Sequence, residues 1–364
     1  MSFELGNNLR ISVSGASHSE FIEVRITGLP KGYVLNKFDI EDMLKRRQGG
    51  GAFYATARKE SDEPVYIKGV ENDTLSGEEL VVRFYNKNAR SSDYDNMKYV
   101  PRPGHADFVA YEKYKGKLDM AGGGFFSGRM TLPMVFAGAV VKGLLEDEGI
   151  LVGAHISSVG GVCDDRYDKA EDLLEVNCDE FPVLNKEAGD EMLKVMKEAS
   201  LDGDSVGGSI ECKITGLPVG LGDPIYDSLE SRISYGIFGI PAVKGIEFGQ
   251  GFGVTSARGS KSNDPFIIKD GKVKCMTNNS GGIQGGMTNG MPVVFNVAIK
   301  PTPSIYKEQN SVDLVSMKEE KLVIKGRHDS CIVPRALPCV EAMAMLIIYD
   351  SLIEYKNFVR ERDK

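Results

Sequence analysis

Only four histidines occur in this chain of 364 residues, and three of them lie in segments that suit proton transfer. His18 follows Ser17 in a run of small residues, SGASHSE, which leaves room around an imidazole. His105 stands in RPGHAD, where proline and glycine favour a tight turn beside an arginine and a carboxylate. Histidine titrates near neutral pH and is therefore a common general acid or base.

A third histidine, His328, lies between Arg327 and Asp329 in the run GRHD, which suits proton transfer or binding of an anion. Simpler explanations stay open: a hydrogen-bonded loop histidine at His18, and a surface turn with an internal ion pair at His105. A metal site is a further alternative, although no HxH or HExxH spacing supports it. Its ligands would be His105, Asp107, His328 and Asp329.

Glycine is enriched, with 42 of 364 residues, against roughly 7% in average proteins. The glycines cluster in GGGFFSGR at residues 122–129 and in NNSGGIQGG at residues 278–286. Glycine-rich loops before a helix expose backbone amides that can hold an anion. Neither loop has the spacing of a phosphate-binding loop or a dinucleotide fingerprint. KPTPS at residues 300–304 adds a cation and hydroxyls in a stiff turn.

The elements that must position these motifs follow from apolar spacing, which alternates between the periods of strands and helices. The pattern predicts a mixed α/β protein. Strands are expected at residues 9–14, 23–27, 65–70, 80–85 and 151–157. Helices are expected from a cap at Asn36 to a stop at Gly49, and at residues 133–148, 186–199 and 338–355.

Two sequence patterns occur once in each half of the chain. VRITGLPKG at residues 24–32 matches CKITGLPVG at residues 212–220, and a Leu-Pro pair opens an apolar helix in both halves. Their common order predicts a duplicated unit with internal pseudo-twofold symmetry, in halves of about 9–150 and 205–355. Since no linker composition separates the halves, we expect one integrated domain over residues 1–364.

The composition argues against several classes of protein. A net charge of −8 and a pI near 5.3 argue against nucleic-acid binding, so an anionic ligand needs a local basic cluster. The N-terminus lacks a signal-peptide pattern, and no apolar run approaches the ~18 residues of a membrane span. The six cysteines form no CxxC pair, which favours reduced thiols in a cytoplasmic protein.

Taken in order, these motifs resemble the chorismate synthase family over nearly the whole chain. Any single block is weak evidence, whereas this many blocks in one order are specific. The blocks are SH at 17–18, KRR at 45–47, TARKE at 56–60, RSSDY at 90–94, RPGHAD at 102–107, GGGFFSGR at 122–129, DSVGG at 204–208, AVKG at 242–245, NNSGGIQGG at 278–286, KPTPSI at 300–305 and GRHDSCIVPRALP at 326–338.

The resemblance implies a lyase of the shikimate pathway. Such an enzyme removes phosphate from 5-enolpyruvylshikimate 3-phosphate by a 1,4-anti elimination and so forms chorismate. The resemblance also implies a requirement for reduced FMN without net redox change, and an external source of that reduced flavin. The expected structure is an α/β (α+β) sandwich of helices packed between antiparallel sheets, assembled as a homotetramer.

The resemblance further implies roles for individual residues. His18 would protonate or stabilise the reduced flavin, and His105 would assist departure of phosphate. Asp329 would remove a proton near flavin N5, with Ser17 and Ser127 as relays. The substrate-binding arginines would be Arg46, Arg102, Arg129 and Arg327, since bidentate guanidinium groups suit phosphate and carboxylate. The flavin contacts would be Ser127, Ala242, Gly285, Lys300, Pro301, Thr302, Pro303, Ser304 and Arg327.

The chain departs from the family pattern close to these residues, although His18, His105 and Asp329 are retained. The departures are Ala16 for a glutamate, Gln48 for a proline, Gly51 or Ala52 for an arginine, Phe125 and Phe126 for an arginine and a serine, and Pro241 for an asparagine. Two functions therefore stay open. One is chorismate synthase, and the other is a divergent paralogue that binds flavin or a phosphorylated ligand without this turnover.

Overall fold

The first half of the chain builds a five-stranded antiparallel sheet from the alternating segments. The computed structural model describes residues 2–48, 52–54, 62–86, 99–167, 181–324 and 328–364. The strands of this sheet are β1 Ser2–Leu5, β2 Arg10–Ser14, β3 Phe21–Thr27, β4 Val65–Lys68 and β7 Leu80–Tyr85. They lie in the order β1-β2-β3-β7-β4. Ile22, Val24 and Ile26 alternate along β3 and are fully buried on its inner face.

A second five-stranded antiparallel sheet comes mainly from the second half. Its strands are β8 Leu151–Val159, β9 Val162–Cys163, β10 Gly208–Thr215, β11 Val243–Phe248 and β16 Val293–Ile299. They lie in the order β11-β16-β10-β8-β9. The remaining strands form short hairpins: β5 Val70–Glu71 with β6 Thr74–Leu75, β12 Phe266–Lys269 with β13 Lys272–Cys275, β14 Ile283–Gln284 with β15 Met287–Thr288, and β17 Gln309–Asp313 with β18 Lys318–Leu322.

The helices are α1 Lys37–Gln48, α2 Asp107–Tyr114, α3 Leu132–Glu146, α4 Lys186–Leu201, α5 Leu229–Ile237, α6 Gly259–Ser262 and α7 Val333–Arg362. Of these, α1, α3, α5 and α7 pack against one another and form the helical core. Helix α3 contacts the first sheet, α7 contacts the second, and the two helices pack against each other. A Cβ atom at Gly138 would lie 2.4 Å from that of Ala342, so glycine permits this close approach.

Helix α7 differs from its prediction at both ends. Its expected start at Pro338 is wrong, because the helix begins at Val333 and Pro338 lies inside it. That proline removes one backbone hydrogen bond to the preceding turn, yet the surrounding residues are buried and hold the helix together. At the other end, the charged segment after Tyr355 continues the helix to Arg362.

Two helical segments are long and apolar enough to cross a membrane, namely Gly128–Glu146 and Val333–Arg362. Of their most apolar windows, 67% and 94% are buried inside the protein. An apolar helix that is covered on all sides by protein belongs to the core of a globular domain. These segments are therefore the core helices of the fold.

The remaining histidine, His155, lies on β8 and is fully buried. Its Nδ1 lies 2.9 Å from Asp164 and its Nε2 lies 3.0 Å from Glu211. Burial opposes the charged form, but the hydrogen bonds to the two carboxylates raise the pKa of His155 above its usual value. The imidazole of His155 therefore joins β8, β10 and the segment after β9.

Candidate active site

A cleft of about 560 Å³ lies at the N-terminal end of α7, where segments from both halves of the chain meet. Its walls come from the RPGHAD loop, the triple-glycine loop, residues 238–244, residues 300–304 and the first turns of α7. This volume falls within the range of about 300–1,000 Å³ that is common for small-molecule sites. The cleft is thus large enough for a cofactor-sized ligand.

The structure brings many of the predicted site residues to this cleft. Those that line it are Arg102, His105, Ser127, Ala242, Lys300, Thr302, Pro303, Ser304 and Asp329. Six other predicted site residues lie in the described ranges but do not line the cleft: Ser17, His18, Arg46, Arg129, Gly285 and Pro301. Arg327, together with residues 49–51, 56–60 and 90–94, lies outside the described residues.

The triple-glycine loop runs between two of the histidines. Gly122 has a φ of +61°, and a Cβ atom there would lie 2.5 Å from His18 Nε2 and 2.8 Å from Ser17 Oγ. At Gly123, with a φ of +88°, the added atom would lie 3.6 Å from His105 Nε2. A side chain at Gly122 would clash with His18, whereas one at Gly123 would only contact His105, and the left-handed backbone at both positions favours glycine. The loop therefore contacts both histidines, of which only His105 lines the cleft.

Asp107 orients the imidazole of His105. The Nδ1 of His105 lies 2.7 Å from Asp107 Oδ1, and a carboxylate at this position holds the proton on Nδ1. Nε2 then lies on the side that faces the glycine loop of the cleft. Burial would raise the pKa of Asp107, but hydrogen bonds from Arg102 and His105 lower it well below its usual value. The pair can hold or deliver a proton at Nε2.

Arg102 also binds the carboxylate of Asp107. Its Nε and Nη2 donate to Asp107 at 2.7 and 2.8 Å, and its backbone N–H donates at 3.0 Å. Its Nη1 lies 3.5 Å from the hydroxyl of Ser304. A bidentate arginine–carboxylate pair is geometrically specific, so Arg102 fixes the RPGHAD loop as well as lining the cleft.

The neighbouring arginines at the end of α1 point in different directions. Arg46 forms an ion pair with Glu341 of α7, at 2.8 Å between Nη2 and Oε2, and is not part of the cleft lining. Arg47 is 4% exposed, lines the cleft and pairs with Asp62. Successive residues of a helix are about 100° apart around its axis. The rotation of α1 about its axis therefore places Arg47, and not Arg46, in the cleft lining.

Arg129 lies behind the cleft wall and is held by two side chains. Its Nη1 donates to Asp62 Oδ1 at 2.6 Å, and its Nε donates to Asn86 Oδ1 at 2.7 Å. Asp62 also pairs with Arg47, so one carboxylate neutralises part of the charge of two arginines. Burial would raise the pKa of Asp62, but the two guanidinium groups lower it. No sequence pattern pointed to Asp62 or Asn86.

Asp329 lines the cleft and is held by Arg335 from the first turn of α7. Arg335 Nη1 donates to both carboxylate oxygens at 2.9 Å. The Nε of the same guanidinium donates to the backbone oxygen of Arg47 at 3.1 Å. Arg335 thus ties the carboxylate to the end of α1. Arg335 belongs to the motif GRHDSCIVPRALP, but the family resemblance implied no role for it.

Lys244 and Lys300 line the cleft and bring positive charge to it. Lys300 Nζ donates to the backbone oxygen of Gly104, and burial together with Lys244 lowers the pKa of Lys300. Thr302 lies beside them, and its buried Oγ1 makes no hydrogen bond with any residue in the described part of the chain. Two cations and an available hydroxyl form a suitable place for an anionic group.

Two predicted contacts lie outside the cleft lining. Gly285 follows β14 in the turn of a hairpin, with a φ of +61°, and is not part of the cleft lining. Pro301 stands between Lys300 and Thr302, and its ring faces Gly207 instead. The structure therefore brings the side chains on either side of Pro301, but not Gly285, to the cleft.

Aromatic side chains form an apolar part of the cleft. Phe125, Phe126 and Phe238 line it. Phe126 is 38% exposed and Phe238 is 54% exposed. The ring of Phe125 packs edge-on against Phe3, with centroids 5.6 Å apart. The cleft thus combines apolar aromatic side chains with charged groups.

The metal alternative has no cluster to support it in the described ranges. There, no three histidine, cysteine, aspartate or glutamate side chains converge on a common point. Asp107 is bound to Arg102 and His105, and His328 packs against Tyr306 with ring centroids 5.2 Å apart. Burial and the charge of Arg102 lower the pKa of His328.

Comparison with known proteins shows the family of the chain. The profile of the chorismate synthase family matches residues 9–353. A chorismate synthase of Thermococcus kodakarensis is 46% identical over 349 residues, which cover 96% of this chain and 97% of the relative. That of Dehalococcoides mccartyi is 41% identical over 356 residues, with 96% of both chains covered. A crystal structure of chorismate synthase superposes with a TM-score of 0.75 at 26% identity, and covers 96% of this chain and 93% of the other.

Proposed function

Because the chain belongs to the chorismate synthase family and has its carbon–oxygen lyase activity, we propose that its cleft binds reduced FMN together with 5-enolpyruvylshikimate 3-phosphate. The activity sets aside the alternative of a paralogue without turnover. The observation that carries the proposal is the convergence of His105, Asp329, Lys244 and Lys300 on one cleft beside an apolar wall.

The cleft residues fit a flavin, which the family generally uses in its reduced form. Phe126 and the neighbouring apolar wall suit a planar ring, and Lys244, Lys300 and the hydroxyl of Thr302 suit its phosphate. When bound, reduced FMN assists cleavage of the carbon–oxygen bond without a net change in redox state. Ser127, Ala242, Pro303 and Ser304 would line the same site, and Gly285, Pro301 and Arg327 stay proposed contacts of the flavin.

The leaving phosphate needs a proton or a strong hydrogen bond, since negative charge develops on its oxygen. His105 can provide it from Nε2, because Asp107 holds the other ring nitrogen and stabilises the imidazolium. Asp329 can accept the proton that the elimination removes from carbon, and Arg335 keeps that carboxylate in place. General acid–base catalysis of this kind contributes about 10²–10⁴-fold in rate.

The anionic groups of the substrate would bind to arginines in the cleft and behind its wall. Arg102, Arg129 and Arg327 keep the substrate-binding role that the family resemblance implies. Arg47 lines the cleft and Arg46 does not, so we propose that Arg47 makes the contact at the end of α1. His18 and Ser17 would act on the far side of the glycine loop. The Oγ of Ser17 is buried and bonds to no described residue, which leaves it available as a relay.

Anaerobic titration of the protein with reduced FMN tests the assignment of the flavin. The lysine variant Lys300→Met should bind reduced FMN at least tenfold more weakly, because it loses a cation at the proposed phosphate position. Lys307→Met is the control, since Lys307 pairs with Asp202 and Asp204 away from the cleft. Equal affinity of the two variants would contradict the proposed position of the flavin phosphate.

The halves 9–150 and 205–355 are further proposed to be two copies of one unit within a single domain. In support, β3 and β10 both end at a glycine of left-handed backbone, Gly28 with φ +90° and Gly216 with φ +79°. A side chain at either would fall within 1.9–2.1 Å of a backbone carbonyl oxygen. Helices α3 and α7 share one core, so unfolding should show one cooperative transition. Two separate transitions would contradict a single domain.

The assembly and surroundings of the enzyme are proposed from its family. We expect a homotetramer in the cytoplasm, supplied with reduced flavin by another protein, with no nucleic acid or membrane as partner. Light scattering should then give a mass of four times the 39.7 kDa chain. A mass equal to one chain at micromolar concentration would contradict the tetramer.

A further inference from the structure

We propose that Asn86 is a positioning residue that sets the His18 loop and Arg129 relative to each other. Asn86 directly follows the last residue of β7, and its side chain reaches both elements. The inference rests on the functions proposed above for His18 and Arg129. Asn86 would fix the position of the His18 imidazole relative to the Arg129 guanidinium, although these groups come from different parts of the chain.

Both polar atoms of the Asn86 side-chain amide form hydrogen bonds. Its Oδ1 accepts from Arg129 Nε at 2.7 Å. Its Nδ2 donates to the backbone oxygen of Ser19 at 2.7 Å and lies 3.4 Å from that of Ala16. Since arginine only donates and a carbonyl oxygen only accepts, the orientation of the amide is determined by its partners.

The two carbonyl groups that Asn86 reaches stand on either side of Ser17 and His18. The backbone N–H of Asn86 also donates to the carbonyl oxygen of Glu20 at 3.0 Å, so the residue binds this loop at several points. From the other side, the backbone N–H of Ser17 donates to Gly124 in the triple-glycine loop at 3.3 Å. The position of His18 against the glycine loop therefore depends on these contacts.

The guanidinium of Arg129 is held at two edges. Asp62 binds Nη1, and Asn86 binds Nε. The ion pair with Asp62 compensates the charge, whereas the bond to a neutral amide fixes the direction of the guanidinium plane. The backbone N–H of Arg129 donates to Ser127 Oγ, which places this arginine directly behind the cleft wall.

Two substitutions separate the two ends of the amide. Asn86→Asp keeps an acceptor for Arg129 but turns an oxygen toward the carbonyl groups of Ala16 and Ser19, which repel it. Asn86→Ala removes both contacts. The first variant should therefore disturb the His18 loop alone, and the second should disturb His18 and Arg129 together.

Steady-state kinetics with reduced FMN under anaerobic conditions measure the difference. Asn86→Asp should lower kcat roughly 10- to 100-fold, since displacing a catalytic group by about 1 Å has effects of this size, while KM for the substrate changes less than twofold. Asn86→Ala should lower kcat similarly and also raise KM at least fivefold. Asn310→Asp and Asn310→Ala are the controls, because Asn310 accepts from Lys321 on a hairpin. They should leave both constants unchanged.

Wild-type constants in both Asn86 variants would overturn the proposal, and so would equal changes of kcat and KM in the two variants. Urea unfolding of each variant, measured alongside, shows whether a loss of activity follows a loss of folded protein. His18→Ala and Arg129→Gln test the underlying functions separately. If those two variants keep full activity, the proposed functions of His18 and Arg129 fail, whatever Asn86 does.

Discussion

Replacing Asp62 by asparagine removes one charge from a buried group of three. The Asp62 side chain is 1% exposed, and the side chains of Arg47 and Arg129 that pair with it are 5% and 8% exposed. Asparagine has the same shape and tolerates the left-handed backbone at this position, where φ is +47°. It offers one acceptor oxygen, however, and its NH₂ group would face the second guanidinium.

The expected loss of stability is large. Removing one partner of a buried ion pair costs about 3–5 kcal/mol, because the other charge stays buried without compensation. Asp62→Asn should therefore lower the free energy of unfolding at pH 7 by roughly 3 kcal/mol or more. The pKa of Asp62 is lowered in the folded protein, so its contribution is present above the unfolded value of about 4 and is lost as pH falls through the folded value.

Urea unfolding measures this change, with Asp73→Asn as the matched control. Asp73 also has a left-handed backbone, with φ +63°, and it pairs with Lys37, but its side chain is 48% exposed. Exposed ion pairs contribute about 0–1 kcal/mol, so the control should lose no more than that. A loss in Asp62→Asn that is no greater than in Asp73→Asn would refute the assignment of Asp62 as a buried shared partner.

Three further outcomes are expected. Arg335→Lys should lower kcat at least tenfold, because lysine cannot hold Asp329 and the end of α1 together, and unchanged kcat would contradict this. The pKa of His155 is raised in the folded protein. Its contribution to stability is therefore complete below about pH 6.5 and is lost as pH rises through the folded value. Urea unfolding should show this loss of stability, and His155→Gln should abolish this pH dependence. Gly122→Ala should reduce turnover strongly, whereas Gly128→Ala, where nothing lies within 4 Å of an added Cβ, should not.

The sequence predicts the periodic elements well, because their signals are local. The alternation on β3 and the apolar surfaces of α3 and α4 depend on neighbours in the chain, and these elements lie where they were expected. Helix α7 shows the limit of such signals. Pro338 is typical of a helix start, yet burial on all sides keeps a helix intact around it.

Contacts across long sequence separations were not predictable in the same way. The motif KRR indicates a basic helix end, but the choice between Arg46 and Arg47 depends on the rotation of α1 about its axis against α7. Asp62 and Asn86 each bind Arg129 from a distant part of the chain. No spacing rule connects these residues, because their contact depends on how β7, α1 and the glycine loop pack together.

The most direct test of the central claim is the rate of chorismate and phosphate formation by the wild-type protein and by His105→Ala, without oxygen and with saturating reduced FMN. The cleft assignment predicts equal amounts of the two products from the wild type. It also predicts a rate lower by about 10²–10⁴-fold in the variant, which should still bind the flavin. A variant that forms chorismate at the wild-type rate would contradict the assignment of His105 and its cleft to the elimination of phosphate.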